Sequence, residues 1–190
     1  MGHIQGNPIY FQNLTEKNMS FDHVFERIVS FIKKEPNGKY RLIVGTDSQV
    51  HTRHTVFITA IIIQRQGKGA WMCVHKDVVP RRMVHLHERI SRETSLTEQL
   101  ASLLTEDHKN ILIDLILPHI YKGASFTFEG HIDIGSGSRN KTREYVNEMV
   151  ARVEALGLEA VIKPDSYGAS SVANKYTKKR NVLNPQKKLG

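Results

Sequence analysis

A single cysteine, Cys73, in 190 residues excludes an intrachain disulfide and any cysteine-rich zinc site. Long apolar runs are also missing. The longest, around Ile111 to Leu117, is broken by Asp114 and followed by Pro118, well short of the roughly 20 residues that cross a bilayer. The N-terminus, MGHIQGNPIYFQN, has neither a basic n-region nor an apolar h-region, so no secretory signal and a cytoplasmic location are expected. Acidic residues are scarce beside basic ones, 19 against 27, for a net charge of +8. That balance favours a polyanionic partner, nucleic acid being the commonest. The excess is uneven: Lys175, Lys178, Lys179, Arg180, Lys187 and Lys188 crowd the last residues, as a solvated tail also would. Internal repeats and low-complexity segments are absent too.

What is present is ordinary for a soluble domain: 39% hydrophobic and 24% charged residues, in a chain long enough to bury a core. The expected division is an irregular lead-in over 1–19, one domain over 20–178, and a basic flexible tail over 179–190. Ser20 reads as an N-cap, and Phe21, Val24, Phe25, Ile28, Val29 and Ile32 follow at helical spacing to about Lys34. Three strands come next: one beginning near Arg41, then Thr55–Gln64, then Ala70–Val79 after the turn Gln66-Gly67-Lys68-Gly69. Short connections predict an antiparallel meander. Helical periods run from Met83 to about Leu104 and from Asp107 to Tyr121. Phe126–Ile134 alternates as a strand, Asn140–Leu156 is an amphipathic helix, Leu158–Lys163 a short strand, and Ser170–Lys179 a final helix. A meander followed by strand–helix units implies an α/β fold with a mixed five-stranded sheet flanked by helices.

Two strands close alike. RLIVGTDSQV over 41–50 ends its apolar run in Gly45, Thr46, Asp47 and Ser48, and HIDIGSGS places Asp133 before another Gly/Ser cluster. Glycine and serine also open turns, but two carboxylates at one sheet edge have a stronger meaning. If the strands are parallel neighbours, Asp47 and Asp133 lie side by side, where α/β sheets tend to bind ligands. Such a pair repels and must share a proton or a cation. Hard oxygen ligands suit magnesium or manganese.

The motifs GTDSQ, ETSL (Glu93 to Leu96), HIDIG and KPDSYGASSVANKYTK resemble the YkuK-type ribonuclease H-like family. The resemblance covers about 20–178 and implies metal-dependent phosphodiester hydrolysis of nucleic acid with Mg²⁺ or Mn²⁺. Within it, Asp47 matches the first-strand carboxylate that bridges two metal ions, and Asp133 the one ending the fourth strand. The helix carboxylate is expected at Glu98, in EQLASLL, with Glu93 the competing choice. The fourth ligand is either Asp165, just after the fifth strand, or the neutral Asn174. Ser48, Lys163, Lys175 and Lys178 are expected on the substrate. RNA, DNA and hybrid substrates are not distinguished by these residues, nor is an oligomeric state indicated.

Three other readings compete. His85, His87 and Glu88, with His51 and His54 elsewhere, invite a zinc site, which needs three ligands and a water. Actin-like ATPases use a similar acidic turn on a related fold, but require a second such domain. A catalytically silent nucleic-acid-binding module also suits the basic balance, and the neutral Asn174 encourages it.

Overall fold

Ser20 caps the first helix, its hydroxyl accepting from the His23 amide, and α1 runs Phe21–Lys33. The structure is a computed structural model that describes residues 8–137 and 141–167. After the turn at 35–38 come β1 (Lys39–Val50), β2 (Thr55–Arg65) and β3 (Gly69–Val79), then α2 (Leu86–Ala101) and α3 (Glu106–Ile116). A 3-10 turn, Leu117–Lys122, leads into β4 (Ser125–Gly135), and a second one, Arg143–Tyr145, into α4 (Val146–Glu154) and β5 (Glu159–Lys163).

The expected meander forms. Among the described residues the sheet has five strands in the order β3-β2-β1-β4-β5. β1 pairs antiparallel with β2, β2 antiparallel with β3, and β4 lies parallel to both β1 and β5.

Alternation along each strand divides the side chains between two faces. On one face, Leu42, Val44, Ile61 and Ile63 bury against Val24, Ile28 and Ile32 of α1, Leu100 of α2 and Leu112 of α3. Farther along, Ile132 and Ile134 of β4 pack under Met149 and Val153 of α4. Gly130 makes that approach possible, since a Cβ there would lie 2.3 Å from Val153 Cγ1. On the opposite face, Ile43, Val56, Ile58, Ala60, Ile62 and Val74 form a separate buried cluster.

Four boundaries differ from expectation. β1 does not close at GTDS but continues to Val50, because β2 goes on pairing with it through Asp47↔Ile58 and Val50↔Thr55. α2 is shorter than its periodic pattern, since Met83 and Leu104 are buried from loops on either side. The segment before Val146 forms only a 3-10 turn, because the apolar stripe begins at Val146 itself. The lead-in is partly anchored: Phe11 and Met19 are buried and bridge each other, and Gln12 bridges Val74 of β3. The expected helix at 170–179 and the tail lie outside the described residues.

Candidate active site

The parallel register of β1 and β4 ends at Thr46↔Ile132. One step further along each strand stand Asp47 and Asp133, on matching sides of the sheet by alternation. Thr46 and Ser48 flank Asp47 and point the other way, onto α2. The Thr46 hydroxyl lies 2.9 Å from that of Thr59 and 2.8 Å from that of Thr97. Ser48 Oγ donates to Glu93 Oε1 at 2.5 Å. Thr97 Oγ1 in turn donates to the Glu93 carbonyl at 3.1 Å. All three threonines are buried, so this run of hydroxyls holds the Glu93 turn of α2 against the strand.

Three carboxylates therefore share one end of the sheet. Burial raises Asp47 above the usual aspartate range, and the Asp133 charge adds to it. The amide of Ser48, donating to Asp47 Oδ1 at 2.8 Å, and the cations Lys163 and Arg89 act against that rise. Glu93 is pushed up to about 8, first by burial and further by Asp47 and Asp133, against the Ser48 hydrogen bond and Arg89. Asp133 Oδ1 is buried, and among the described residues its partner is the Lys163 ammonium, 3.1 Å away.

These features fit a hard divalent cation. The donors are carboxylate oxygens, they repel one another, and the buried oxygen of Asp133 already draws a cation, the Lys163 ammonium. Even so, among the described residues no three His, Cys, Asp or Glu side chains are already gathered as a metal-binding group.

The remaining expectations divide. Glu98, expected as the helix carboxylate, is instead held by Arg152, whose Nε and Nη2 donate to it at 2.8 and 2.6 Å. Five residues place it about 140° round the helix from Glu93, and α2 docks with the Glu93 side over the strand end. Ser48 is committed to Glu93 rather than turned outward. Asp165 is exposed in the turn after β5, in the wall of a concavity shared with Arg41, Glu129 and Tyr167. Lys163 is at the site, on Asp133. Asn174, Lys175 and Lys178 lie outside the described residues.

Among the described residues the histidines do not assemble a zinc site. Glu88 pairs with Arg81, His87 lies 3.3 Å from Glu148, and His51 stacks on His54 at 4.5 Å.

Sequence reasoning missed a second polar group on the same sheet face. Glu129 Oε2 accepts from Arg41 Nη2 at 2.8 Å and lies 2.9 Å from His131 Nε2; Thr127 donates to Oε1 at 3.1 Å. Desolvation would raise Glu129, but His131, Arg41 and Thr127 together hold it below the usual range. The signal was the alternation in TFEGHID, which puts Thr127, Glu129, His131 and Asp133 on one side of a central strand.

None of the described helices is long and apolar enough to cross a membrane. A ribonuclease H-like family model matches residues 23–178. The chain is 44% identical over 168 residues to the uncharacterized protein YkuK of Bacillus subtilis (strain 168), covering 88% of this chain and 96% of that one. No solved structure matches it.

Proposed function

The chain belongs to the YkuK-type ribonuclease H-like family, and on that premise we propose that it hydrolyses phosphodiester bonds of nucleic acid with Mg²⁺ or Mn²⁺. One observation carries the reading: Asp47 and Asp133 follow the last parallel pair of β1 and β4 by one step on each strand, and Glu93, fixed by Ser48 at the same strand end, is near enough for both their charges to act on it.

Asp47 and Asp133 would hold the cation, with Glu93 contributing from α2. Asp165 and Asn174 are the candidates for a fourth ligand. Held there, divalent cations would supply a lowered pKa for an attacking water and compensation for charge on the phosphate and leaving oxygen. The chain's own part is positioning. The β1–β4 register sets the separation of the two aspartates, and the buried hydroxyls fix α2. Glu93 Oε1 is occupied by Ser48, so Oε2 is the oxygen left to carry or release a proton. Lys163 and the net positive charge supply attraction for a phosphate backbone.

A second reading, a nucleic-acid-binding module without catalysis, has one observation behind it: the described carboxylates are not gathered into a closed metal-binding group.

Calorimetric titration of Mn²⁺ into the protein and into Asp47→Asn, beside labelled RNA, DNA and hybrid substrates, separates the two. A nuclease binds the cation and cleaves at least one substrate, and both properties vanish in the variant. Absence of Mn²⁺ binding in the unaltered chain, with nucleic acid still bound, sinks hydrolysis and leaves the binding module.

A further inference from the structure

The ion pair on Asp133 stands beside an open site. Lys163 ends the edge strand β5, its side chain is 49% exposed, and its ammonium serves the buried Oδ1 of Asp133. Such a side chain can swing away at little cost in packing. On its other side lies a concavity of about 600 Å³, walled by Arg41, Glu129, Ser136, Lys163, Asp165 and Tyr167. That volume falls within the roughly 300–1,000 Å³ of small-ligand sites.

The far wall is built for a flat ring. Tyr167 is 42% exposed, yet its position is held from three sides. Its hydroxyl donates to Gln64 Oε1 at 3.0 Å, the Arg41 guanidinium lies 5.7 Å from its ring centre, and His131 meets it at 5.6 Å with the rings near perpendicular. A fixed, part-exposed aromatic ring is a stacking platform for an unpaired base. Lys163 is the cation of the wall that is bound to the catalytic aspartate, whereas Arg41 is committed to Glu129.

We propose that this concavity seats one unpaired nucleotide of the substrate, and that Lys163 admits it by exchanging Asp133 for the nucleotide's phosphate when a divalent cation binds. The inference rests on the metal-dependent reading above and adds an order to it. While the site lacks its cation, Lys163 neutralises Asp133 and is withheld from substrate. Once a cation takes over that task, the ammonium is free for a phosphate in the concavity, and the base lies against Tyr167. Cation and single-stranded nucleic acid then bind with positive coupling.

The test compares the unaltered protein with Lys163→Met and Tyr167→Ala. Mn²⁺ is titrated by calorimetry without nucleic acid. A single-stranded DNA decamer carrying 2-aminopurine, and its RNA counterpart, are bound in EDTA and in Ca²⁺. Lys163→Met binds Mn²⁺ about three- to tenfold more tightly, because a competing positive charge has left Asp133. The unaltered protein binds an oligonucleotide about tenfold or more tightly in Ca²⁺ than in EDTA, and Lys163→Met loses that gain. Tyr167→Ala keeps its Mn²⁺ affinity and loses the fluorescence quenching. Equal Mn²⁺ affinities in Lys163→Met and the unaltered chain overturn the exchange, as does unchanged quenching in Tyr167→Ala for the seat. If either failure occurs in a protein that still binds Mn²⁺ and cleaves, the nuclease reading survives alone. An unaltered chain that neither binds Mn²⁺ nor cleaves ends both.

Discussion

Ser48 Oγ and Glu93 Oε1 meet at 2.5 Å across the junction of β1 and α2, and that contact fixes which glutamate of the helix lies at the strand end, within reach of the aspartates' charge. Glu98, five residues further on, is turned toward α4 and tied to Arg152. The two glutamates therefore respond differently to the same substitution. Glu93→Gln lowers Mn²⁺ affinity about tenfold, read by calorimetry. Glu98→Gln leaves that affinity unchanged and lowers stability by about 1–2 kcal/mol in urea unfolding. A loss of cation affinity in Glu98→Gln alone would reverse the assignment.

Stability of the cation-free protein falls as pH rises. Burial, reinforced by Asp47 and Asp133, holds Glu93 up to about 8 against an ordinary 4.5. The folded chain keeps a proton that the unfolded chain releases. That stabilisation is full below the ordinary value and is lost as pH climbs through the folded one. Asp47, raised mainly by burial, acts in the same direction. Glu129, held low, acts oppositely, but its contribution is lost only as pH falls below the ordinary carboxylate range. Unfolding in EDTA between about pH 5 and 8 shows a decline of up to about 1.4 kcal/mol per pH unit, and Glu93→Gln flattens it.

Binding of a cation at neutral pH also expels that proton. Calorimetry of Mn²⁺ binding in buffers of different ionisation enthalpy reports release of close to one proton at about pH 7, and much less in Glu93→Gln. Equal release from both proteins would place the proton elsewhere.

The threonine hydroxyls are worth more together than singly. Thr59 can donate to Thr46, Thr46 to Thr97 and Thr97 to the Glu93 carbonyl, all in one direction. Thr46→Val leaves two buried hydroxyls short of a partner and costs about 1–3 kcal/mol in urea unfolding. It also weakens Mn²⁺ binding, because the helix turn bearing Glu93 loses one of its two ties to β1, the other being Ser48. A stability loss without any change in cation affinity would limit the hydroxyls to a structural role.

Gly130 is required where α4 crosses β4. A methyl group there would lie 2.3 Å from Val153 Cγ1, so Gly130→Ala destabilises by about 1–3 kcal/mol through overpacking. Val153→Ala opens that space, and the double variant recovers part of the loss. Additive losses in a double-mutant cycle would show that the two positions do not meet.

Much of this protein is local in origin. Ser20 and the apolar stripe behind it specify α1 without help from elsewhere. The β-branched run at 55–64 specifies β2, and the glycine-containing turn at 66–69 specifies its hairpin with β3. Asp47 and Asp133 could be paired from sequence because each stands beside Gly and Ser at the end of an apolar strand. What tertiary structure decided was the facing of elements whose own pattern allows several. α2 carries acidic residues on more than one side, and only docking on Thr46 and Ser48 brings Glu93 to the strand end and sends Glu98 to Arg152. β1 continues past Asp47 because a partner strand is there to pair with it, which its polar residues do not announce. The contact between Arg41 and Glu129 joins residues 88 positions apart, and the wall of Tyr167 and Lys163 beside it exists only once β4 and β5 lie parallel. Periodicity describes a helix or strand relative to its own axis; the neighbour it turns toward is settled by packing between distant segments.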